Sequence, residues 1–584
     1  MSKSLIIAEK PSVASDLARA LGRFKKEGDH FESDQYVISS ALGHLVELCL
    51  PSELDVKRGK WSFANLPIIP DEFELKPIEK TKARFNMLKR LMQRKDVDLL
   101  INACDAGREG ELIFRYLMKL SGVKKPVRRL WLQSMTAESI RTAFEHLRSD
   151  EEMIPLTKAA VCRSESDWLV GINGTRAMTA FNNKTGGFQL TPVGRVQTPT
   201  LAILTEREEK IHHFKSRPYF EVFGDFEVQA GEYRGRWFRE DFAKDDDEDA
   251  RAERIWDRAT ADGIKERCLG KTGIATEERK PTTQAPPLLY DLTSLQRDAN
   301  GRGFSAKRTL QIAQQLYERF KVITYPRTDS RYLPEDYLTT VRSTLGKIDN
   351  QHARKVLESN WAKPSKRIFN NAKISDHFAI IPTGTAAHGL DEWQQKVYDM
   401  IVRRFIAVFH PAAQFEVTTR ITRVEKDAFK TEGKIIKDPG WLAVYGREAA
   451  ADQNGEESLV PITPNEPAKV LNVDVAENET KPPARFNEAT LLSAMESAGK
   501  LVEDEELREA MREKGLGTPA TRAAIIEGLI AQDYVIRQGR ELIATAKGMA
   551  LITLLRGIGV SELCSPEMTG EWEYKLKRMA KGHM

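Results

Sequence analysis

Three groups of side chains in this sequence have types and spacings suited to chemistry. The first are carboxylates. Glu9 follows the apolar run Leu5-Ile6-Ile7-Ala8, and Asp105 follows Val97 to Ala103, with Glu109 and Glu111 just beyond. Should Glu9, Asp105 and Glu109 converge, they would offer hard oxygen ligands suited to Mg²⁺, with waters completing its shell. Glu109 and Glu111 serve equally well as ordinary first-turn acids that complement a helix dipole, and spacing alone leaves both readings open. Arg108 beside them is placed to hold a phosphate. The second group centres on Tyr325, which precedes Pro326 and Arg327. A tyrosine there is by default a packing residue. As a nucleophile its phenol, with an unperturbed pKa of about 10, needs its proton removed or its oxyanion stabilised. Arg327 is the nearest cation in sequence. The third is His377, within Ser375-Asp376-His377-Phe378-Ala379, which can reach such a site from elsewhere in the fold, although a lone histidine is more often structural.

The elements around these residues form an ordered series. Leu5 to Ala8 reads as a buried strand, followed by an amphipathic helix with Val13, Leu17 and Leu21 on one face, stopping at Gly22. Val97 to Ala103 reads as a second strand, running into Asp105-Ala106-Gly107-Arg108-Glu109-Gly110-Glu111 and a helix that ends at Gly122. Functional groups collect at the carboxyl ends of strands in open parallel sheets, and Glu9 and Asp105 both lie just past such an end. From Asp150 to Ile211 the pattern is helical, broken at Thr191 to Gln197. Residues 217–240 and 414–475 alternate as strands do. Residues 285–405 and the stretch from Pro482 are again helical. The acidic run Asp245 to Asp249 predicts a solvated loop.

The chain has 584 residues, 41% hydrophobic and 30% charged, which predicts a soluble protein of three to five domains. No apolar run approaches the roughly 20 residues needed to cross a bilayer, and the N-terminal apolar stretch is too short for a secretion signal. The five cysteines contain no C-x-x-C pair, which argues against a zinc ribbon and a disulfide framework and fits a reducing cytoplasm. A net charge of +4 confines any nucleic-acid site to a local groove. The absence of a G-x-x-x-x-G-K-[ST] loop gives no sign of ATP use.

Seven stretches, in order along the chain, resemble the type IA DNA topoisomerases, in particular the bacterial topoisomerase III branch. They are Ala8-Glu9-Lys10-Pro11-Ser12, Gly43-His44-Leu45, Asp105 to Glu111, Gly194-Arg195-Val196-Gln197-Thr198-Pro199, Ile323 to Ser330, Asp376-His377-Phe378-Ala379-Ile380, and Gly515 to Arg522. The resemblance implies a multidomain torus of α/β, helical and β-rich parts with an N-terminal Toprim domain. It divides the chain into a Toprim domain with the metal site (1–150), a helical DNA-binding domain in two parts (151–212 and 482–584), a β-rich arch in two parts (213–280 and 405–481), and a helical domain carrying the tyrosine (281–404). It implies ATP-independent cleavage of one strand through a 5′-phosphotyrosine, strand passage and religation, which relaxes negative supercoils and decatenates DNA. By position Tyr325 matches the nucleophile and Arg327 its electrostatic partner. Glu9 matches an acid that assists proton transfer at the leaving 3′ oxygen, Lys10 a phosphate-stabilising lysine, and His377 a histidine that holds the scissile phosphate. Asp105 and Glu109, with Glu9, match the acids that bind Mg²⁺. Trp61, Asp167, Trp168, Arg176, the turn Pro192-Val193-Gly194-Arg195-Val196-Gln197, Arg485, Glu488 and Thr518 fall in stretches that line single-stranded DNA, where cations track phosphates and aromatic faces stack on bases. The implied partners are single-stranded DNA and negatively supercoiled or catenated duplex, met by a monomer in the cytoplasm, at the nucleoid, with no membrane.

The sequence departs from the family pattern twice. The acidic motif often reads D-x-D-x-E, whereas Gly107 holds the middle slot, which predicts an open ligand position that an aspartate at 107 would fill. Gly107 is also a candidate for positive φ. The sequence given ends at Met584, without the cysteine-rich or basic tail found in many members.

Overall fold

A computed structural model describes the chain except for Met1 and residues 55–60, 184–188, 245, 447–458, 502–504 and 513–514. Its first domain is organised by a strand with no exposed apolar surface: Leu5, Ile6, Ile7 and Ala8 are all fully buried, as a parallel strand covered on both faces requires. The strands here are β1 (Lys3–Ala8), β2 (Lys25–Glu27), β3 (His30–Glu32), β4 (Tyr36–Ser40), β5 (Val46–Leu48), β6 (Leu75–Pro77), β7 (Val97–Ala103), β8 (Val127–Arg129) and β9 (Arg148–Ser149). Seven of them form one sheet in the order β2-β3-β4-β1-β7-β8-β9, and β5 pairs with β6 apart from it. β1 runs parallel to both neighbours, with Ala8 opposite Ser40 and Ala103. The chain therefore leaves β1 and β7 at the same edge, which sets Glu9 beside the Cys104–Asp105 turn. The helix Pro11–Leu21 starts on a proline and stops at Gly22. The helix Arg108–Ser121 stops at Gly122, whose left-handed backbone closes it.

The helix Asp150–Asn182 opens on a capping box between Ser149 and Glu152. Together with Gln197–His212 it packs against the C-terminal helices: Met178, Leu201 and Leu204 share one apolar core with Leu491, Ile526 and Ile552. Two helical stretches far apart in sequence thus share one core.

The β-rich stretches close on themselves. Strands β10 (Pro218–Val228), β11 (Gly231–Phe238), β12 (Thr272–Gln284), β13 (Ala413–Val424), β14 (Asp427–Asp438) and β15 (Glu466–Glu479) form a barrel in the order β10-β11-β14-β13-β12-β15. Val222, Phe226, Phe429 and Val473 belong to its apolar core, and closure leaves no edge strand to aggregate. Of the acidic run, Asp245 lies outside the described residues, and 246–249 contain no helix or strand, with Asp247 paired to Arg217 at 2.8 Å.

Between the barrel strands lies the segment carrying Tyr325. Its helices Leu292–Asn300, Ala306–Glu318 and Glu392–Ala407 share a core, but Tyr325 itself is on irregular chain. Threonines lace that chain to residues 377–382. Thr324 Oγ1 donates to Ala379 O and accepts from Ile381 N, both at 2.9 Å, and Thr328 Oγ1 donates to His377 O at 2.9 Å. This segment meets the first domain along a polar seam. Asp336 Oδ2 accepts from Ser134, Thr136 and Ser139 hydroxyls at 3.0, 2.7 and 2.7 Å, and Gln133 donates to Ile374 O at 2.9 Å. Among the described residues no helix is long and apolar enough to cross a membrane.

Candidate active site

The paired strand ends deliver Glu9 and Asp105 to one place, with Asp105 N donating to Glu9 Oε2 at 3.4 Å. Two carboxylates out of water resist charging together. Burial, and then the charge of Asp105, push Glu9 up to about 7. Burial acts on Asp105 in the same sense, but His377 and Lys10 beside it win and hold it well below the usual carboxylate range. Lys10 Nζ is ion-paired with Asp105 Oδ2, the oxygen that His377 Nε2 approaches to 2.8 Å, and Lys10 and His377 are themselves 3.2 Å apart. Burial works against the Lys10 ammonium, yet Asp105 and Glu9 hold its pKa above the ordinary lysine value.

Tyr325 stands over this cluster. Lys10 Nζ lies 3.7 Å from the centroid of its ring, the His377 ring is tilted against it at 4.3 Å, and Tyr317 meets it edge-on at 5.3 Å. Tyr317 is fixed in turn by a 2.8 Å hydrogen bond with Ser12, one residue into the helix after β1. Burial pushes the Tyr325 phenol up, with Lys10 the main group pulling it back. The cation against the ring is therefore Lys10. Arg327, expected from sequence to be nearest, is exposed and donates to Gln314 Oε1 at 3.1 and 2.6 Å, although it lines the same cavity.

A buried ion network supports the acid loop. Arg129 donates to the carbonyls of Asn102, Cys104, Leu130 and Asp105 at 2.6 to 3.0 Å. Glu111, with no exposed surface, pairs with Arg129 at 3.4 Å and Arg115 at 2.7 Å. Glu111 is thus an anchor for the loop carbonyls rather than a solvated first-turn acid.

The expected convergence of three acids is not what the structure has. Among the described residues the ligand atoms of Glu9, Asp105 and Glu109 do not gather within 4.8 Å of one another. Glu109 faces His44 at 3.4 Å and Arg163 at 3.2 Å, and these contacts, the His44 hydrogen bond first, lower its pKa. The Glu9–Asp105 pair does fit a hard divalent cation, because the repulsion that lifts Glu9 is what a doubly charged ion relieves. Gly107 is also not as expected. Its φ of −163° is extended, open to any residue, and the slot beside it is filled: a Cβ there would collide with the carboxylate of Asp376, 2.5 Å from its Cγ.

These groups line a cavity of about 1000 Å³ that also holds Arg108, Arg163, Arg195, Val196 and Thr518. Arg195 is 5% exposed, with Nε donating to Asp167 at 2.8 Å and its guanidinium 5.0 Å from the Trp572 ring. Arg108 is paired with Glu573 at 2.6 Å. The rest of the expected strand-binding set does not line this cavity. Val193 is in a core, its N–H held by Thr175; Pro192 and Gly194 flank it in the same turn. Gln197 bonds Gln532 at 2.7 Å, Arg485 is tied to Glu208 at 2.9 Å, and Glu488 to Arg537. Trp168 donates to Cys49 O at 3.1 Å. Trp61 lies under Arg176, 5.1 Å from the guanidinium, and both tryptophans lie outside the cavity, as do Asp167 and Arg176. Sequence reasoning passed over Arg163, Tyr317 and Glu573. Arg163 stands one helical turn before Asp167, a spacing that signals a shared face; nothing in the sequence signals that the last helix would bring Glu573 to Arg108.

Residues 151–584 match the family described as DNA topoisomerase, and residues 4–135 match the Toprim domain. DNA topoisomerase 3 of Bacillus subtilis is 39% identical over 597 residues, and that of Bacillus cereus (strain ATCC 14579) is 40% identical over 601 residues. Each match covers 100% of this chain and 79% of the relative. Among solved structures, full-length topoisomerase I from Thermotoga maritima superposes with a TM-score of 0.68 at 22% identity, over 99% of this chain and 87% of that one, a likeness of fold.

Proposed function

Because this chain belongs to the type IA DNA topoisomerases, in the topoisomerase III branch, we propose that it breaks and rejoins one DNA strand through Tyr325. It acts without ATP, passing a second strand through the break to relax negative supercoils and decatenate DNA. The single observation that carries the assignment is Lys10 Nζ, which joins the acid pair to the tyrosine ring at 3.7 Å.

In this reading the Tyr325 oxygen attacks a backbone phosphorus, giving up its proton to water in the cavity, and keeps the 5′ phosphate. Lys10 stabilises negative charge on the phosphoryl oxygens and the phenolate, His377 steadies the phosphate from the other side, and Arg327 adds positive charge from the cavity wall. With no ion bound, Glu9, neutral up to about pH 7, donates its proton to the departing 3′ oxygen and takes it back on resealing. A divalent ion, Mg²⁺ in our reading, would be held by Glu9 and Asp105 and would supply positive charge for religation and strand passage; Glu109 joins it only by turning from His44 and Arg163. The strand enters past Arg195, Val196 and Thr518 and continues along the helix Asp150–Asn182 toward Trp61, Trp168 and Arg176, with Asp167 released from Arg195 when phosphate takes its place. Gln197, Arg485 and the Pro192–Gly194 turn hold this path in shape. The working unit is a monomer on single-stranded regions of supercoiled or catenated DNA at the cytoplasmic nucleoid. Its domains are those set out from the sequence, from the Toprim domain at 1–150 to the second helical DNA-binding part at 482–584.

Trapping the covalent adduct tests the assignment. Tyr325→Phe is expected to abolish 5′-linked adduct and relaxation, while single-stranded DNA affinity stays within about twofold, because one hydroxyl adds little to a charged groove. Residual 5′ adduct in that variant would show that another residue attacks.

A further inference from the structure

We infer that the Glu573 carboxylate is a stand-in for a backbone phosphate, occupying Arg108 while the strand path is empty and displaced when a strand enters. This rests on the topoisomerase reading and deepens it, adding to the strand path a residue that the matching motifs leave out. Three of the arginines that line the cavity each meet a carboxylate of the protein itself. Arg163 faces Glu109 at 3.2 Å, Arg195 faces Asp167 at 2.8 Å, and Arg108 faces Glu573 at 2.6 Å. The three pairs differ in depth. The side chains of Glu109 and Asp167 are 49% and 42% exposed, that of Glu573 only 9%. An ion pair in water is worth about 0 to 1 kcal/mol, so a phosphate exchanges for Glu109 or Asp167 almost freely. Leaving a buried ion without its partner is far more costly, so Arg108 must pass directly from one anion to the next. Burial disfavours the Glu573 charge, yet Arg108, Arg163 and Arg195 together hold its pKa below the ordinary glutamate value. The place is an anion site, whichever anion fills it.

The exchange is built into one face of the last helix. Thr569, Trp572 and Glu573 are spaced i, i+3 and i+4 along Glu567–Ala580, which puts them in a single stripe. Thr569 Oγ1 donates to Arg195 O at 3.0 Å, and the Trp572 ring lies 5.0 Å from the Arg195 guanidinium. Glu573 reaches across to Arg108, the first residue of Arg108–Ser121, where the helix dipole also favours negative charge. The stripe thus touches both the turn that the strand passes and the helix that begins beside the Asp105 loop. A phosphate arriving at Arg108 releases Glu573 to water, and Glu573 returns as the strand departs. Arg108 is paired in both states. The strand is held less tightly by the free energy of ejecting the carboxylate, which favours its release after resealing.

A plainer role for Glu573 is to fasten the last helix to the first domain, and the two roles predict opposite signs. In full-length Glu573→Gln the side chain keeps its shape and one oxygen for Arg108 but loses its charge. Binding of a fluorescent oligothymidylate is followed by anisotropy over a salt series, beside a thermal melt. The stand-in role predicts binding about five- to tenfold tighter at low salt. It also predicts a plot of log affinity against log salt steeper by about one, since the phosphate at Arg108 no longer frees a carboxylate that recruits a cation of its own. Adding Arg108→Gln is expected to abolish the gain, because the competition is for Arg108. Affinity unchanged or weakened in Glu573→Gln, with an unchanged slope, overturns the inference. So does a gain that survives in the Arg108→Gln background, which marks Glu573 as a diffuse repulsive charge. Where the melt shows Glu573→Gln unfolded, Glu573→Asp, which ends a methylene short of Arg108, decides with the same signs. Adduct formation by the unaltered protein, measured in parallel, keeps the outcomes separate: its absence undoes the topoisomerase reading and leaves the salt series to be read as it stands.

Discussion

Glu9 and Asp105 hang from the ends of paired strands, Ala8 opposite Ala103, in a sheet whose central strand is fully buried. Tyr325 and His377 hang from two irregular segments joined by threonine hydroxyls and by a few isolated main-chain bonds, such as Thr324 N to Ile381 O at 2.9 Å. The first side is placed by a register that many main-chain hydrogen bonds fix at once, so no single side chain decides where its carboxylates sit. The second is placed by individual bonds, each worth about 1 kcal/mol net, and can shift as a unit when they part. If Tyr325 attacks as proposed, a nucleophile that must carry a covalently held strand end away and bring it back belongs on the second kind of support. The charges that meet it belong on the first.

The comparison is tested most severely at Lys10, the fixed-side cation that lies against the Tyr325 ring. Lys10→Ala is expected to lower the single-turnover rate of adduct formation by about 10²- to 10³-fold, the usual cost of deleting one preorganised charge partner. It should also raise the Glu9 pKa further, because Lys10 is what pulls it down. A rate within threefold of the unaltered protein would leave the fixed side without its assigned share of the chemistry.

Next comes Glu9. Its folded pKa of about 7 lies above its ordinary 4.5, so as a proton donor it is competent below that value. Metal-free cleavage should therefore fall as pH rises through about 7. Glu9→Gln should flatten that limb and lower the rate at pH 6 by about 10²-fold. Stability has the same sign: the folded protein holds a proton that the unfolded chain releases between pH 4.5 and 7, so Glu9 costs stability as pH rises across that window. In metal-free melts, Glu9→Gln should accordingly gain on the unaltered protein between pH 4.5 and 7. Parallel melting curves across that range would contradict the assigned shift.

The smallest effect is expected on the laced side. Thr328→Val keeps the shape but removes the donor to His377 O; losing about 1 kcal/mol of placement should slow adduct formation about fivefold. Melting should change little. A drop as large as that for Lys10→Ala would mean the two supports are equally rigid.

The same division explains what the sequence discloses. Leu5 to Ala8 is an uninterrupted apolar run, and Val97 to Ala103 is apolar apart from Asp98 and Asn102; each is followed by an acid and reads as a parallel strand covered on both faces, so the meeting of Glu9 with Asp105 could be anticipated. Strand alternation identifies β10 and β15 but not that Pro218 pairs with Glu479, because period two says which face is buried and nothing about which strand lies alongside. Glu109 was misplaced for a related reason. Its helix was legible, but the side chain's direction is set by His44 and Arg163, which come from a loop and another helix. Glycine at 107 suggested an empty slot, since a sequence shows which side chain is absent and not which distant one occupies the space.

The seam at Asp336 has one more consequence. Three hydroxyls converge on a single carboxylate oxygen at its solvent-facing margin. Bonds of this kind are short in reach: a displacement of about an ångström breaks them, and water replaces each partner at little net expense. An apolar joint of the same extent would resist over a longer path and expose surface that water does not welcome. Mechanically the seam is a fastening that parts over a short displacement and can re-form from the same partners when they return.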